Sequence, residues 1–316
     1  MKRSSPLLAL MHNATRVLVA GLILAFGFEV CSQPASAQNS PAPPASGSFT
    51  FTAINFPGGT RTRAVGINDP GDIVGDYFDA SGVQHAYLLS QGTFTTFDPP
   101  GSIQTRGLAI NNRGVIGGTF LDSSKVRHSY LLNQGNFTIF DFPGATATFL
   151  QGMSNQQVVG AYSDARGLHG FLLNDGNFTT IDFPGAVGQT VAGDINEPGQ
   201  IVGNYEDASG KLHGFLLNDG NFSTFDFPGA FSTTVPFGIA ANGDIAGAYN
   251  DNSGLSHGFQ LQQGSFTTID FPGARQTQAV RVNGDRSNRW VLQPGGATWL
   301  SGHAQPVLAK LADSLR

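Results

Sequence analysis

The chain has 316 residues, 40% of them hydrophobic and 12% charged, with 42 glycines and a formal net charge of −5. That acidic balance argues against nucleic acid, whose binding depends on basic patches that neutralise phosphates. A single cysteine, Cys31, excludes a disulfide framework.

Lys2, Arg3 and Arg16 supply positive charge ahead of an apolar stretch, Val17–Phe28, and the small residues Ala35-Ser36-Ala37 follow. This order predicts a secretory signal peptide over residues 1–37 and an exported protein, extracellular or periplasmic. The apolar stretch is too short for a membrane span, which needs about 20 residues, so no integral membrane segment is expected after cleavage. Phe28-Glu29-Val30 are too bulky or charged to precede a lipid-modified Cys31. Cleavage after Ala37 removes three basic residues and one acidic one, leaving 14 against 21, a net charge of −7 over 279 residues. Residues 38–47 (QNSPAPPASG) read as a linker with nothing to bury. The folded domain is expected over 48–301. PVLAKLADSLR, in the tail 302–316, reads as a short amphipathic helix or a packed C-terminal turn.

From residue 48 a repeat takes over. Proline–glycine pairs begin at Pro57, Pro100, Pro143, Pro184, Pro228 and Pro272, spaced by 43, 43, 41, 44 and 44 residues. HGFLLNDGNF occurs twice, from His169 and again from His213. Within the fourth unit four short stretches, TVAGDIN, QIVGNYE, LHGFLL and FSTFDF, are rich in β-branched and aromatic residues. EPG, DASG and NDGN separate them as compact turns. Four strands per period of 40–45 residues predict the blades of an all-β propeller. Glycine recurs inside the second strand at Gly75, Gly117, Gly160, Gly203 and Gly247, where close approach of another backbone is expected.

Five units are complete and the sixth is degenerate. Gln276–Asn283 matches a first strand, and Arg289–Leu300 (RWVLQPGGATWL) resembles a third and fourth, so one strand is short. SFTFTAINF (Ser48–Phe56) precedes any complete unit. The expectation is six blades, the last stitched from Gln276–Ser301 and Ser48–Asn55, because closure covers otherwise exposed sheet edges.

Gly66–Leu89 (GINDPGDIVGDYFDASGVQHAYLL) resembles the HAF-type repeat of predicted extracellular bacterial proteins, with HSYLL and HGFLL replacing HAF in later units. The resemblance spans about residues 60–300 and implies secretion and a repeat-built β domain. It brings no catalytic residues with it.

One repeat position holds His85, His128, His169, His213 and His257, each preceded across a turn by Asp79, Asp122, Asp164, Asp207 and Asp251. A motif repeated in every blade is spread around a ring, whereas a metal needs ligands converging on one point. These pairs are therefore read as hairpin clasps, with no metal or cofactor. Asp98, Asp141, Asp182, Asp226 and Asp270, in DFPG or its variants, are expected to bond backbone at the turn into the next blade, as are Asn68, Asn111 and Asn196 of the GIN motif.

For enzymes the signals are thin. The mature chain has two glutamates, Glu197 and Glu206, and no Walker, Rossmann, zinc-protease or nucleophile-elbow pattern. Those glutamates, with Arg106, Arg113 and Arg127, depart from the repeat and are read as solvated loop charges. The reading is an exported, non-catalytic binding scaffold with an extracellular or periplasmic glycan or protein as ligand. Two alternatives stand beside it: a propeller hydrolase or lyase acting on a glycan or small molecule, and a structural envelope protein.

Overall fold

A computed structural model describes residues 49–282, 289–295 and 307–311. The expected signal peptide (1–37) and linker (38–47) lie outside them. All the described regular elements are strands, and they form six four-stranded antiparallel sheets.

The chain enters through β1 (Phe49–Ala53). The first complete blade is β2 (Arg61–Ile67), β3 (Ile73–Phe78), β4 (Gln84–Ser90) and β5 (Thr93–Phe97). The second is β6 (Gln104–Ile110), β7 (Ile116–Leu121), β8 (Arg127–Asn133) and β9 (Asn136–Phe140). The third is β10 (Ala147–Met153), β11 (Gln157–Asp164), β12 (Gly167–Asn174) and β13 (Asn177–Ile181). The fourth is β14 (Thr190–Ile195), β15 (Ile201–Glu206), β16 (Leu212–Asn218) and β17 (Asn221–Phe225). The fifth is β18 (Thr234–Ile239), β19 (Ile245–Asn250), β20 (Ser256–Gln262) and β21 (Ser265–Ile269). Each first strand packs against the first strands of the neighbouring blades, so these are the inner strands and the chain works outward.

The sixth blade is composite, in the order β1-β24-β23-β22, from β22 (Gln276–Val282), β23 (Arg289–Gly295) and β24 (Val307–Leu311). Its inner strand β22 packs between β18 and β2 and closes the ring. Three C-terminal strands plus one N-terminal strand is the expected arithmetic, but two assignments change. The strand at Arg289 pairs directly with β22 and fills the second place, not the third. The third is β24, from the tail read as a helix, so the ring runs to Leu311 rather than Ser301. Five residues flanked by β23 and β1 complete two hydrogen-bond ladders as a strand. The ladders outweigh the helix propensity of VLAKL, four of whose five residues are good helix formers.

Turns between third and outer strands are two-residue hairpins. Asp219 and Gly220 take φ of 49° and 78°, the paired positive values of a type I′ turn, which explains NDGN. The second-strand glycines answer a different demand. Every inner strand carries a bulge near its middle, between Ala192 and Asp194 in the fourth blade. A Cβ on Gly203 would collide with the Val191 carbonyl beside that bulge and with the Phe215 ring 2.6 Å away. The backbone crowding is thus within the blade, and in the second blade it falls on Gly118, while a Cβ on Gly117 would meet the Leu150 side chain of the next blade at 2.7 Å. Phe215 pairs with Gly203 across the sheet and is wholly buried, so the repeated aromatic of the third strand covers the bare glycine of the second.

Adjacent blades are joined by aromatic stacking. In three DFPG links the phenylalanine lies face to face on the next blade's second-strand tyrosine, Phe142 on Tyr162 and Phe227 on Tyr249 with centroids 3.6 Å apart and Phe183 on Tyr205 at 3.7 Å.

Candidate functional site

The inner strands end together around the axis and leave a cup of about 580 Å³, open solvent included, lined by residues of all six blades. The bulge decides what faces it. The residue after each bulge is Gly66, Ala109, Gly152, Asp194, Gly238 or Arg281, small in four blades and charged in two.

The GIN asparagines form the wall and do more than cap their turns. Asn68 Oδ1 accepts from the Asp72 N–H at 2.8 Å, while its Nδ2 donates to the Asn111 carbonyl of the next blade at 3.2 Å. Asn111 donates in turn to Ser154 O (3.2 Å), and Asn196 to Ala240 O (3.1 Å). The sequence showed the turn role and not the staple between blades. On the rim, Asn112 Nδ2 donates to Asp69 Oδ2 at 2.6 Å, and Glu197 accepts from the Asn155 N–H at 3.0 Å. Asn155 Oδ1 is buried beside this contact without a hydrogen-bond donor. Glu197 therefore lines the cup and is no incidental loop charge.

Asp194 and Arg281 close the floor. Their carboxylate and guanidinium are in contact, with side chains 10% and 8% exposed. Arg281 also donates to Phe237 O at 2.9 Å and, across the axis, to Gln151 O at 2.6 Å; Asp194 accepts from the Ile239 N–H at 3.0 Å. Burial pushes the Asp194 carboxyl above the ordinary carboxylate range, and Arg281 and Ile239 N–H oppose that shift. Neither residue was singled out from the sequence. The signal was present: DIN and RVN put opposite charges where GIN, AIN and GIA are neutral. Arg281→Met is expected to cost about 3 kcal/mol, because it strands a buried carboxylate. Asp194→Asn in the same chain should recover part of that, read from urea midpoints.

The repeated histidines sit at the other end of the strands. Each is flanked by two aspartates, the expected turn aspartate and a nearer one that was not expected. Nδ1 of His85, His128, His169, His213 and His257 bonds the DFPG aspartates Asp98, Asp141, Asp182, Asp226 and Asp270 at 2.7, 2.7, 2.9, 2.8 and 2.8 Å. Those aspartates were assigned to backbone, but 13 residues of strand and hairpin bring them alongside the ring. The turn aspartates lie farther off. Asp79, Asp122 and Asp164 stand 3.6, 3.6 and 3.4 Å from Nε2, and only Asp207 (3.2 Å) and Asp251 (3.3 Å) hydrogen-bond it. Their main partners are turn groups, as Asp207 Oδ1 accepts from the Ser209 and Lys211 N–H at 2.8 and 3.0 Å. Each imidazole also rests against the second-strand aromatic, Tyr249 on His257 at 5.3 Å. Among the described residues no three His, Cys, Asp or Glu side chains converge as a metal site.

The bond to Asp270 raises the pKa of His257 against the opposing effect of burial, and Asp251 adds to the rise. A raised histidine contributes stability that is complete below its unfolded value, about 6.5, and is lost as pH rises through the folded value. Burial raises Asp251, but its bonds to Ser253, Leu255 and His257 leave it lowered, so its contribution holds above about pH 4 and fades as pH falls. His257→Ala should cost about 1–2 kcal/mol at pH 6. The gap to the parent should narrow by pH 9 in parallel thermal melts.

No family model matches the chain, and no curated protein matches it. Solved structures do resemble it. TolB from Acinetobacter baumannii superposes with a TM-score of 0.54 at 11% identity, over 77% of this chain and 64% of TolB. AofleA from Arthrobotrys oligospora does so at 0.50 and 12% identity, over 80% of this chain and 84% of AofleA. The fucose-specific lectin from Aleuria aurantia reaches 0.47 at 14% identity, over 82% and 97% of the two chains. The chain is a β-propeller. At these identities the likeness reaches the fold and stops there.

Proposed function

We propose that the protein is an exported, non-catalytic binding scaffold whose axial cup holds a polyhydroxylated ligand, a glycan. One observation carries this reading: all six blades contribute to one open cup whose rim presents amides and carboxylates of Asn112, Asp69, Asn196 and Glu197. Sugar hydroxyls both donate and accept, which suits a rim holding both partner types. The carboxylates near the cup are engaged, Asp69 with Asn112, Glu197 with Asn155 and Asp194 with Arg281, which favours binding over a pair of free catalytic acids. The HAF-type character of the repeat and the signal-like N-terminus support export, and secreted material should begin at Gln38. The test is a glycan array on the chain from Gln38, followed by calorimetry on each hit. Glu197→Gln and Asn112→Ala should each weaken binding about tenfold, as for one lost charged hydrogen bond, with little change in melting temperature. An array without hits, or variants that bind like the parent, would overturn the reading.

A further inference from the structure

Blades one and two depart from the other blades in one sector, at the end of the inner strands away from the cup. The inner-strand residue paired beside the second-strand glycine is Arg63 in blade one and Arg106 in blade two. In blades three, four and five it is Phe149, Val191 and Val235. The first residue of β8 is Arg127, where blades three and four carry Leu168 and Leu212. Arg61 lies two residues before Arg63 in the same strand. Three blades build the same architecture with apolar side chains at the Arg63 and Arg106 position, so the fold does not require arginine there.

One carboxylate, Asp76, is fully buried and takes a bidentate pair from Arg63, Nε to Oδ1 at 2.9 Å and Nη2 to Oδ2 at 2.6 Å, with Gln84 Nε2 on Oδ1 at 2.8 Å. Arg127 donates only a long bond, 3.4 Å, to Thr119 Oγ1 and lies 6.0 Å above the Phe149 ring. No acidic group lies in ion-pair contact with Arg106 or Arg127 among the described residues. Burial lowers the pKa of Arg106, and the neighbouring charges of Arg63, Arg127 and Arg61 lower it further against the pull of Asp76. Half-buried guanidinium groups that make no ion pair among the described residues, as at Arg106 and Arg127, are costly unless something negative completes the set. Arg106 and Arg127 are both half-buried rather than sealed in the core.

We infer that Arg106 and Arg127, backed by the Arg63–Asp76 pair and Arg61, form an oxyanion site separate from the cup, which takes a carboxylate or phosphate group through planar guanidinium donors. Nothing in this site depends on what the cup binds.

The experiment is a thermal and calorimetric titration of the chain from Gln38 with inorganic phosphate and, separately, sodium D-glucuronate, at ionic strength held constant with sodium chloride. One of the two should raise the parent's melting temperature by about 5 °C at a hundredfold excess over its Kd, and the arm that responds identifies the oxyanion. Arg106→Gln should abolish the response and, without anion, should melt at or above the parent because a repelled charge is gone. Arg127→Gln should weaken the response at least tenfold and serves in its place if Arg106→Gln does not fold. Glu197→Gln, in the cup, should respond like the parent. A parent that responds to neither anion beyond the chloride control, or a response retained by both arginine variants, would overturn the site.

Discussion

Deleting residues 38–56 is expected to lower the melting temperature by more than about 10 °C and to drive the chain into oligomers. The deletion removes β1, the outer strand of the composite blade, and leaves one edge of β24 without its five-residue ladder. It also removes Ile54, 4% exposed in the first blade's core with Tyr87, and Phe56, stacked 3.6 Å from Tyr77. Burying two such side chains is worth about 1.5–3 kcal/mol each, and a domain of this size loses about 2–4 °C per kcal/mol. The bare strand edge is then a template for another chain's edge. Calorimetry with light scattering reads both effects. A truncated protein that melts like the chain from Gln38 and stays monomeric would show that β1 does not close the ring.

Gly203→Val should cost about 5 kcal/mol or prevent folding outright, the second-largest effect expected of any small change here. The obstruction is backbone: a Cβ would meet the Val191 carbonyl at the bulge, which cannot swing aside as a side chain can, and the Phe215 ring fills the remaining space. Gly210 makes the contrast. It adopts φ +82° with its nearest atom, Glu206 Oε1, 3.7 Å away, so Gly210→Ala bears only the left-handed backbone cost of about 1–2 kcal/mol. Urea midpoints of the two variants separate a packing demand from a conformational one. Equal destabilisation would contradict this account of why the second strand repeats glycine.

Much of the architecture was legible in the residues. The Pro-Gly period, the type I′ NDGN hairpins and the period-2 strands are local chemistry, decided by neighbours a few positions apart. Even the split blade could be counted, because a short unit at one end and a spare strand at the other sum to four. Local reasoning failed where geometry at longer range chose between partners. VLAKL could be helix or strand until the two edges flanking it were known. His257 had an aspartate six residues before it and another 13 after it, and the strand pairing brought the later one closer.

By itself, then, the sequence determined the repeat, the strands within it, their turns and the ring they form, since each follows from backbone preference and alternation within a single blade. Only the tertiary structure decided what meets at the axis. Asp194 and Arg281 come from blades four and six, and Arg281 reaches Gln151 in blade three. Those contacts depend on the curvature of the closed ring, which brings residues many tens of positions apart within a few ångströms, and no period in the chain encodes it residue by residue.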